Sequence, residues 1–260
     1  MKIAFIGCGH MGEAILAGVY DKHTCYVCES RLERQRELGK KYGVKFGMII
    51  DALKMADVVL LAVKPQDLPD VLAEMRVLKL GKKLVISIAA GVKTSSIEKK
   101  LGAGARVVRV MPNLPAMVGL GVSGICRGKH AGPKDVVAAQ GIFNATGTTV
   151  VVAEKMMDAL TAVSGSGPAY VFLFVESWMK AARKLGFSEK EARALVFQTL
   201  TGSVQMLLKS PDSPEVLRAR VTSKGGTTQA ATDVFMAGNF SGMLEAALKS
   251  ARDRAKQLSK

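Results

Sequence analysis

The chain has 260 residues, of which 48% are hydrophobic, enough for one large or two modest domains and too many for a disordered protein. The formal net charge of +15 would suit nucleic-acid binding, but aromatic residues make up only 5% and acidic residues are mixed among the basic ones. Composition therefore predicts a solvated basic surface that attracts anionic ligands, and no nucleic-acid partner.

The sequence also argues against a membrane segment. Residues 1–9 contain a single lysine followed by glycines where a signal peptide needs an unbroken apolar stretch. The uninterrupted apolar run at residues 58–63 is far shorter than the roughly 20 residues of a membrane-spanning helix. We expect a cytoplasmic protein with no membrane partner.

Strand 2–6 is followed at once by Gly7, Gly9 and Gly12 in the pattern GxGxxG, and a helix is predicted over residues 13–20. The three glycines permit a tight turn, the approach of a pyrophosphate, and close packing of helix on strand. This placement predicts a dinucleotide site at the N-terminus.

The second predicted strand contains Cys25 and Cys28, a CxxC pair of the kind that binds metals or undergoes redox chemistry. Residues three apart on a strand point to opposite faces of the sheet, and no second CxxC or histidine pair accompanies them. We interpret these cysteines as structural thiols and predict no metal site.

The end of the second strand carries a mixed signal for the cofactor. Glu29 lies about 20 residues beyond the glycines, where an acidic side chain accepts ribose hydroxyls and favours NAD. Ser30, Arg31 and Arg34 could instead hold a 2′-phosphate, which favours NADP. The residues alone leave both interpretations open.

An alternation of strands and helices continues to residue 152. A buried strand over 57–63 ends at Lys64 and Pro65, and Pro65 is predicted to start the helix over 67–78. Asn113, between two prolines, is a candidate ligand contact or a turn residue. The pattern predicts a Rossmann-like, doubly wound α/β domain over residues 1–153. Its other elements are a helix over 32–42, strands over 83–88, 106–110, 121–126 and 148–152, and a helix over 133–143.

Beyond residue 152 only helices are predicted. The predicted helices cover residues 156–163, 169–185, 189–209 and 239–258, with an interruption at 164–167. The helix over 169–185 is apolar nearly all round at its start, so a single neighbouring face is not enough to bury it. We predict an all-α dimerisation domain over residues 154–260.

Within that domain, Gly225 and Gly226 precede Thr227 and Thr228. The glycines allow the backbone to turn tightly near a ligand, and a threonine can open a helix whose free amides point outward. Such a terminus binds an anion well. The pattern predicts a clamp for a small carboxylate, with an ordinary helix cap as the alternative.

Together these motifs resemble the pyrroline-5-carboxylate reductases, which catalyse the last step of proline biosynthesis. The resemblance runs nearly from end to end, and its most specific segments are 164–170 and 221–228. The matching motifs are IGCGHMGEAI from residue 6, AVKPQ from residue 62, MPNLPA from residue 111, SGSGPAY from residue 164 and VTSKGGTT from residue 221.

The resemblance implies an N-terminal Rossmann domain that binds NADPH, with NADH as the alternative, and a C-terminal domain that forms a homodimer. Such dimers commonly assemble into decamers, and the family's active site lies between domains and across the dimer interface. Residues implied to line the pyrophosphate are Gly7, Gly9, His10, Met11 and Gly12. Those implied to lie along the cofactor towards the nicotinamide are Ala62, Val63, Lys64 and Pro65.

For the substrate, a cyclic imine carboxylate, the resemblance implies that the backbone of Gly225, Gly226, Thr227 and Thr228 binds the carboxylate. The Thr228 hydroxyl would hydrogen-bond the ring nitrogen. The implied reaction is hydride transfer from NAD(P)H to the C=N bond of 1-pyrroline-5-carboxylate, which gives L-proline.

Some positions depart from the family pattern. The family usually has Asn at His10, Thr at Leu114 and Pro at Lys224. These departures leave a divergent paralogue as the alternative, acting on another cyclic imine or binding NAD(P) without turnover. A β-hydroxyacid dehydrogenase would need a catalytic lysine on a second-domain helix, and the candidates Lys180 and Lys184 lie outside the matching motifs.

Overall fold

The computed structural model describes residues 1–78 and 80–259. The chain divides into two compact units. The first unit comprises residues 1–168 together with the segment that begins at Ser250, and the second comprises residues 169–249. The predicted domain boundary at 153/154 stays a prediction.

The first unit is built on one eight-stranded sheet, with the strand order β3-β2-β1-β4-β5-β6-β7-β8. The first six strands are mutually parallel, β7 runs antiparallel to β6, and β8 runs parallel to β7. Crossovers in both directions from β1 make the sheet doubly wound, as predicted. The strands are β1 (Lys2–Ile6), β2 (Thr24–Cys28), β3 (Lys45–Phe46), β4 (Val58–Leu61), β5 (Leu84–Ser87), β6 (Arg106–Met111), β7 (Gly121–Arg127) and β8 (Gly147–Val151).

Both faces of the central strands are buried. Ile3 and Phe5 of β1 pack into one apolar cluster, whereas Ile6 packs into another on the opposite face. The same alternation places buried Cys25 in the first cluster and Cys28 against the second. The two sulfurs therefore lie on opposite sides of the sheet, and burial raises the pKa of the Cys28 thiol to about 12.

Helices α1 to α7 cover the sheet or follow it: α1 (His10–Val19), α2 (Leu32–Tyr42), α3 (Ile49–Met55), α4 (Leu68–Val77), α5 (Thr94–Leu101), α6 (Pro133–Phe143) and α7 (Met157–Leu160). One local prediction was wrong. Strand β4 ends at Leu61, and α4 begins at Leu68 with Pro69 in its first turn, so Pro65 neither ends the strand nor starts the helix. It lies in the exposed loop between them.

The predicted interruption at 164–167 is short. Residues Thr161–Gly165 form one π-helical turn after α7, and α8 (Gly167–Lys184) begins two residues later. The remaining helices are α9 (Glu189–Lys209), α10 (Pro214–Arg220), α11 (Thr227–Ala237) and α12 (Phe240–Leu258). Every element that the structure describes after β8 is helical, as predicted.

The helices of the second unit leave much apolar surface exposed. Val171, Phe172 and Leu173 of α8 are each more than half exposed. The helical stretch Glu154–Lys184 is long and apolar enough to cross a membrane by length and composition alone, and only 6% of its most apolar window is buried. An exposed apolar face of this kind is typical of a surface that meets another protein or a membrane.

Candidate active site

The glycine-rich loop joins β1 to α1 in very little space. Gly7 has a φ of +79°, and a Cβ there would lie 2.8 Å from Cγ1 of Val63. A Cβ on Gly12 would lie 3.2 Å from the Cβ of Ala62. These two glycines therefore let α1 and the loop approach the end of β4, where larger side chains would collide.

Gly9 has a different role. It is the N-cap residue of α1 and has no side chain to bond the first amides of the helix. A Cβ on Gly9 would meet no described atom within 4 Å. The first amides of α1, those of His10, Met11 and Gly12, have no acceptor in the described part of the chain and lie at the positive end of the helix. A phosphate group fits this arrangement, since free N–H groups and the helix dipole both favour an anion.

This space is part of an open cleft of about 1310 Å³ along the carboxyl ends of β1, β2 and β4. Nine of the predicted cofactor residues line it: Gly7, Gly9, His10, Glu29, Ser30, Arg31, Ala62, Val63 and Lys64. Met11, Gly12, Pro65 and Asn113 are not among its lining residues. Met11 packs against the apolar core, and Gly12 is buried.

Asn113 follows β6 and is buried, with both ends of its amide engaged. Its Oδ1 accepts the Val122 N–H at 2.9 Å, and its Nδ2 donates to the Ser164 carbonyl at 3.3 Å. The side chain therefore ties the turn after β6 to the π-helical turn. Its contact with a cofactor stays a prediction.

Glu29 stands immediately after β2, with its side chain only 6% exposed. Its Oε2 accepts the Cys8 N–H of the glycine loop at 3.3 Å, and its Oε1 accepts the Arg31 N–H at 3.1 Å. The Arg31 guanidinium adds two bonds, Nε to Oε1 at 3.0 Å and Nη2 to Oε2 at 3.2 Å. Burial acts to raise the pKa of Glu29, but these hydrogen bonds lower it below its usual range.

All three guanidinium nitrogens of Arg34 donate hydrogen bonds within the protein. Its Nε donates to the Cys8 carbonyl at 3.2 Å, Nη1 to Glu37 at 2.9 Å and Nη2 to Glu13. Burial acts to raise the pKa of Glu13, but hydrogen bonds from Lys41, Arg34 and Tyr42 lower it to about 2. This network ties the glycine loop to α1 and α2.

Part of the cleft wall was missed from the sequence. Phe46, Gly47 and Met48 line the cleft, yet no element was predicted around them. Strand β3 has only two residues, which is too short for a periodic pattern. Helix α3 begins at Ile49 without a side-chain cap, so no capping residue marks its start. No local signal marks this strand, and only the general alternation of strands and helices could have suggested it.

The segment predicted to bind a carboxylate lies in the second unit, at the start of α11. Gly225 has a φ of +73°, and its N–H donates to Oε1 of Gln229 at 2.7 Å. The Gly226 N–H donates to the Ser223 carbonyl at 3.0 Å, and Gly226 caps the helix. This turn leaves the helix terminus open, as predicted.

The first amides of α11, those of Thr227, Thr228 and Gln229, have no acceptor in the described part of the chain. Nor has the Thr228 hydroxyl a partner there, and its side chain is half-buried. Lys224, the residue before the glycines, is exposed and adds positive charge. Three amides, a hydroxyl and a cation at one helix terminus suit a carboxylate with a neighbouring polar atom.

A partly buried ion pair joins β6 to the segment that follows β8. The Arg109 side chain, on β6, is 3% exposed, and its Nη1 lies 2.7 Å from Oε1 of Glu154. Thr94 donates to Oε2 of Glu154 through its hydroxyl at 2.6 Å and its amide at 3.2 Å. The carboxylate thus joins β6, the start of α5 and the segment that leads to α7.

Two family models match the chain. Residues 154–258 match the model described as pyrroline-5-carboxylate reductase dimerisation, and residues 2–91 match that described as NADP oxidoreductase coenzyme F420-dependent. A pyrroline-5-carboxylate reductase from Methanosarcina acetivorans is 40% identical over 266 residues, which is 100% of this chain and 98% of the relative. The chain belongs to the pyrroline-5-carboxylate reductase family.

Solved structures of the pyrroline-5-carboxylate reductase family share the whole fold. A reductase from Coxiella burnetii has a TM-score of 0.94 at 37% identity and covers 99% of this chain and 98% of its own. A Plasmodium falciparum pyrroline carboxylate reductase with NADP bound has a TM-score of 0.88 at 30% identity. The match covers 100% of this chain and 98% of the Plasmodium chain. The predicted family, fold class and oxidoreductase activity class are therefore confirmed.

Proposed function

We infer that the protein reduces the C=N bond of 1-pyrroline-5-carboxylate to give L-proline, with NAD(P)H as the reductant. The observation that carries this inference is the open terminus of α11, where free amides and the Thr228 hydroxyl lie next to each other. In a chain that also builds a dinucleotide cleft, this terminus offers the contacts that a cyclic imine carboxylate requires.

When bound, the reduced nicotinamide supplies a hydride to the C=N carbon of the substrate. The amides of Thr227, Thr228 and Gln229 hold the substrate carboxylate and fix the orientation of the ring. The Thr228 Oγ accepts a hydrogen bond from the protonated ring nitrogen, which keeps the imine electrophilic. The nitrogen retains that proton as the C=N bond becomes a C–N bond, so the protein need not supply a strong acid.

We further propose NADPH as the preferred cofactor and NADH as the alternative. The cleft presents Ser30 and Arg31 at the start of α2, where a 2′-phosphate would meet a cation and a helix terminus. The related Plasmodium falciparum structure contains NADP. Both observations support this preference.

Replacing Gly9 with alanine tests the cofactor site. The φ of −69° suits alanine, so folding should be unaffected, but the new methyl group enters the space assigned to the pyrophosphate. We expect the dissociation constant of NADPH to rise by about tenfold, measured by fluorescence titration. Gly141→Ala on α6, where a Cβ also meets no described atom, is the control and should leave NADPH binding unchanged.

The matched dimerisation model and the exposed apolar faces of the second unit support a homodimer, and we propose that dimers assemble into decamers. We propose that these faces, including α8, meet a second copy of the chain and no membrane. A cytoplasmic location and the absence of a nucleic-acid partner complete the proposal. Sedimentation of the detergent-free protein checks the assembly.

The direct test mixes purified protein, NADPH and 1-pyrroline-5-carboxylate and follows the absorbance of the reduced nicotinamide, with L-proline quantified as product. We expect an absorbance loss that requires the imine, and proline equal to the NADPH consumed. NADPH binding without turnover would instead identify a paralogue that no longer acts on this imine. The departures at Lys224 and Leu114 would then explain the loss.

A further inference from the structure

We propose that Glu29 holds Arg31 in place for the 2′-phosphate of NADPH, and does not act as the acceptor of ribose hydroxyls that an acidic residue at this position usually is. This proposal rests on the proposed function, since it concerns how the same cleft selects its cofactor. It makes Glu29 a positioning residue that acts through Arg31.

The acceptor capacity of Glu29 is already full. A carboxylate has about four lone-pair sites. Glu29 receives the N–H of Cys8, the N–H of Arg31 and two N–H groups of the Arg31 guanidinium, at distances between 3.0 and 3.3 Å. Its side chain is only 6% exposed. A ribose hydroxyl could bond to Glu29 only if one of these donors left.

Arg31, in contrast, is open to a ligand. Its side chain is 64% exposed and lines the cleft. The Nη1 group has no acceptor among the described residues, so its two N–H groups are available. Arg31 is also the N-cap residue of α2, and no side chain among the described residues accepts a hydrogen bond from the first amides of this helix. A phosphate there would meet both the guanidinium and the helix terminus.

The other candidate cation, Arg34, does not compete for this role. All three of its nitrogens are engaged, by Cys8, Glu37 and Glu13, and its side chain is only 17% exposed. Moving it to a phosphate would break the network that holds the glycine loop. The fork between Glu29 and Arg31 fixes the orientation of the available guanidinium instead.

This role predicts an effect of unusual sign. Removing a negative charge beside a phosphate normally tightens phosphate binding, because repulsion falls. If Glu29 acts through Arg31, removing its charge weakens phosphate binding, because the guanidinium loses its fixed orientation. A ribose-binding Glu29 would give a third result, in which the ligand that lacks the phosphate is the one most affected.

The experiment measures binding of 2′,5′-ADP and 5′-AMP by calorimetry, since these two probes differ only in the 2′-phosphate. For Glu29→Gln we expect 2′,5′-ADP to bind about fivefold more weakly, as for loss of one ion pair, while 5′-AMP changes by less than about twofold. Arg31→Ala should weaken the binding of 2′,5′-ADP by about 30-fold, the effect of losing hydrogen bonds to a charged group. In the Arg31→Ala background, Glu29→Gln should have no further effect.

Glu33→Gln is the matched control, because Glu33 lies in the first turn of α2 and the change removes the same charge. It should leave 2′,5′-ADP binding unchanged or tighter. Unchanged or tighter 2′,5′-ADP binding by Glu29→Gln, or an equal loss for 5′-AMP, would overturn the proposal. If Glu29→Gln fails to fold, Glu29→Asp decides the question by the same criteria, since it keeps the charge but shortens the reach.

These probes contain no nicotinamide and need no imine, so the result is independent of turnover. If the wild-type protein bound neither probe, the assignment of the cofactor to this cleft would fail. If it bound both but did not reduce the imine, only the proposed reaction would fail.

Discussion

Replacing Thr228 with alanine is expected to lower kcat/KM for the imine by about 100-fold, the effect of removing one well-placed donor or acceptor at a reacting centre. The hydroxyl is half-buried and free of partners in the described chain, whereas the helix amides that we propose for the carboxylate are backbone groups. The variant should therefore keep its affinity for NADPH. Steady-state kinetics and NADPH titration on the same preparation measure the two quantities.

Two companion variants make this result specific. Thr228→Ser keeps the hydroxyl and should recover most of the activity. Thr232→Ala removes a hydroxyl one turn further along α11, where it bonds only to the carbonyls of Thr228 and Gln229, and should change turnover by less than about threefold. Equal losses for the variants at 228 and 232 would assign the effect to the helix and not to the substrate.

The second large effect concerns stability. Replacing Glu154 with glutamine should lower the free energy of unfolding by about 3 kcal/mol, because it leaves the buried Arg109 guanidinium without a counter-charge. The Arg109 Nη2 already lacks a hydrogen-bond acceptor among the described residues, so the site has no spare partner to offer. Urea unfolding followed by circular dichroism measures the change.

Glu37→Gln is the control for this experiment. Glu37 also pairs with an arginine, but its side chain is 65% exposed, and the change should cost less than about 0.5 kcal/mol. Adding Arg109→Met to Glu154→Gln should restore part of the stability, because the unpaired charge is then gone. A double variant no more stable than Glu154→Gln would show that lost packing, and not the buried charge, causes the effect.

The same pair makes stability depend on pH. Burial acts to raise the pKa of Glu154, but hydrogen bonds from Thr94 and Arg109 bring it below the usual value. A carboxyl whose pKa is lower in the folded state stabilises the protein above the unfolded-state pKa, and this contribution is lost as the pH falls through the folded-state value. Glu154→Gln should therefore flatten the acid side of the stability profile.

The sequence predicts most of the sheet because its strands are buried on both faces and appear as continuous apolar runs, as in Val58–Leu61. Helix α5 was missed for a physical reason. Its sequence begins with three polar residues, and its first amide, that of Thr94, takes its acceptor from Glu154. A cap supplied from 60 residues away leaves no local signal.

The candidate site was predictable to a similar degree. The glycine spacing indicated the loop that lines the cleft, and the turn at Gly225 predicted the start of α11, because both depend on local backbone geometry. The preference for a cofactor was not predictable. From the sequence, Glu29 and Arg31 could each contact the cofactor independently. Only the structure shows that the Arg31 guanidinium donates two hydrogen bonds to the Glu29 carboxylate.

The end of α12 returns to the first unit. A Cβ on Gly91 would lie 3.0 Å from the Leu258 carbonyl, and the Ser259 hydroxyl donates to Asp158 at 2.6 Å. Residues 169–249 are thus flanked at both ends by chain that belongs to the first unit. If the helices of residues 169–249 unfold while the first unit stays folded, the unfolded segment is a loop whose two ends are held. Such a closed loop has less conformational entropy than a free chain. Hydrogen exchange should therefore show both ends of the segment protected while its middle exchanges.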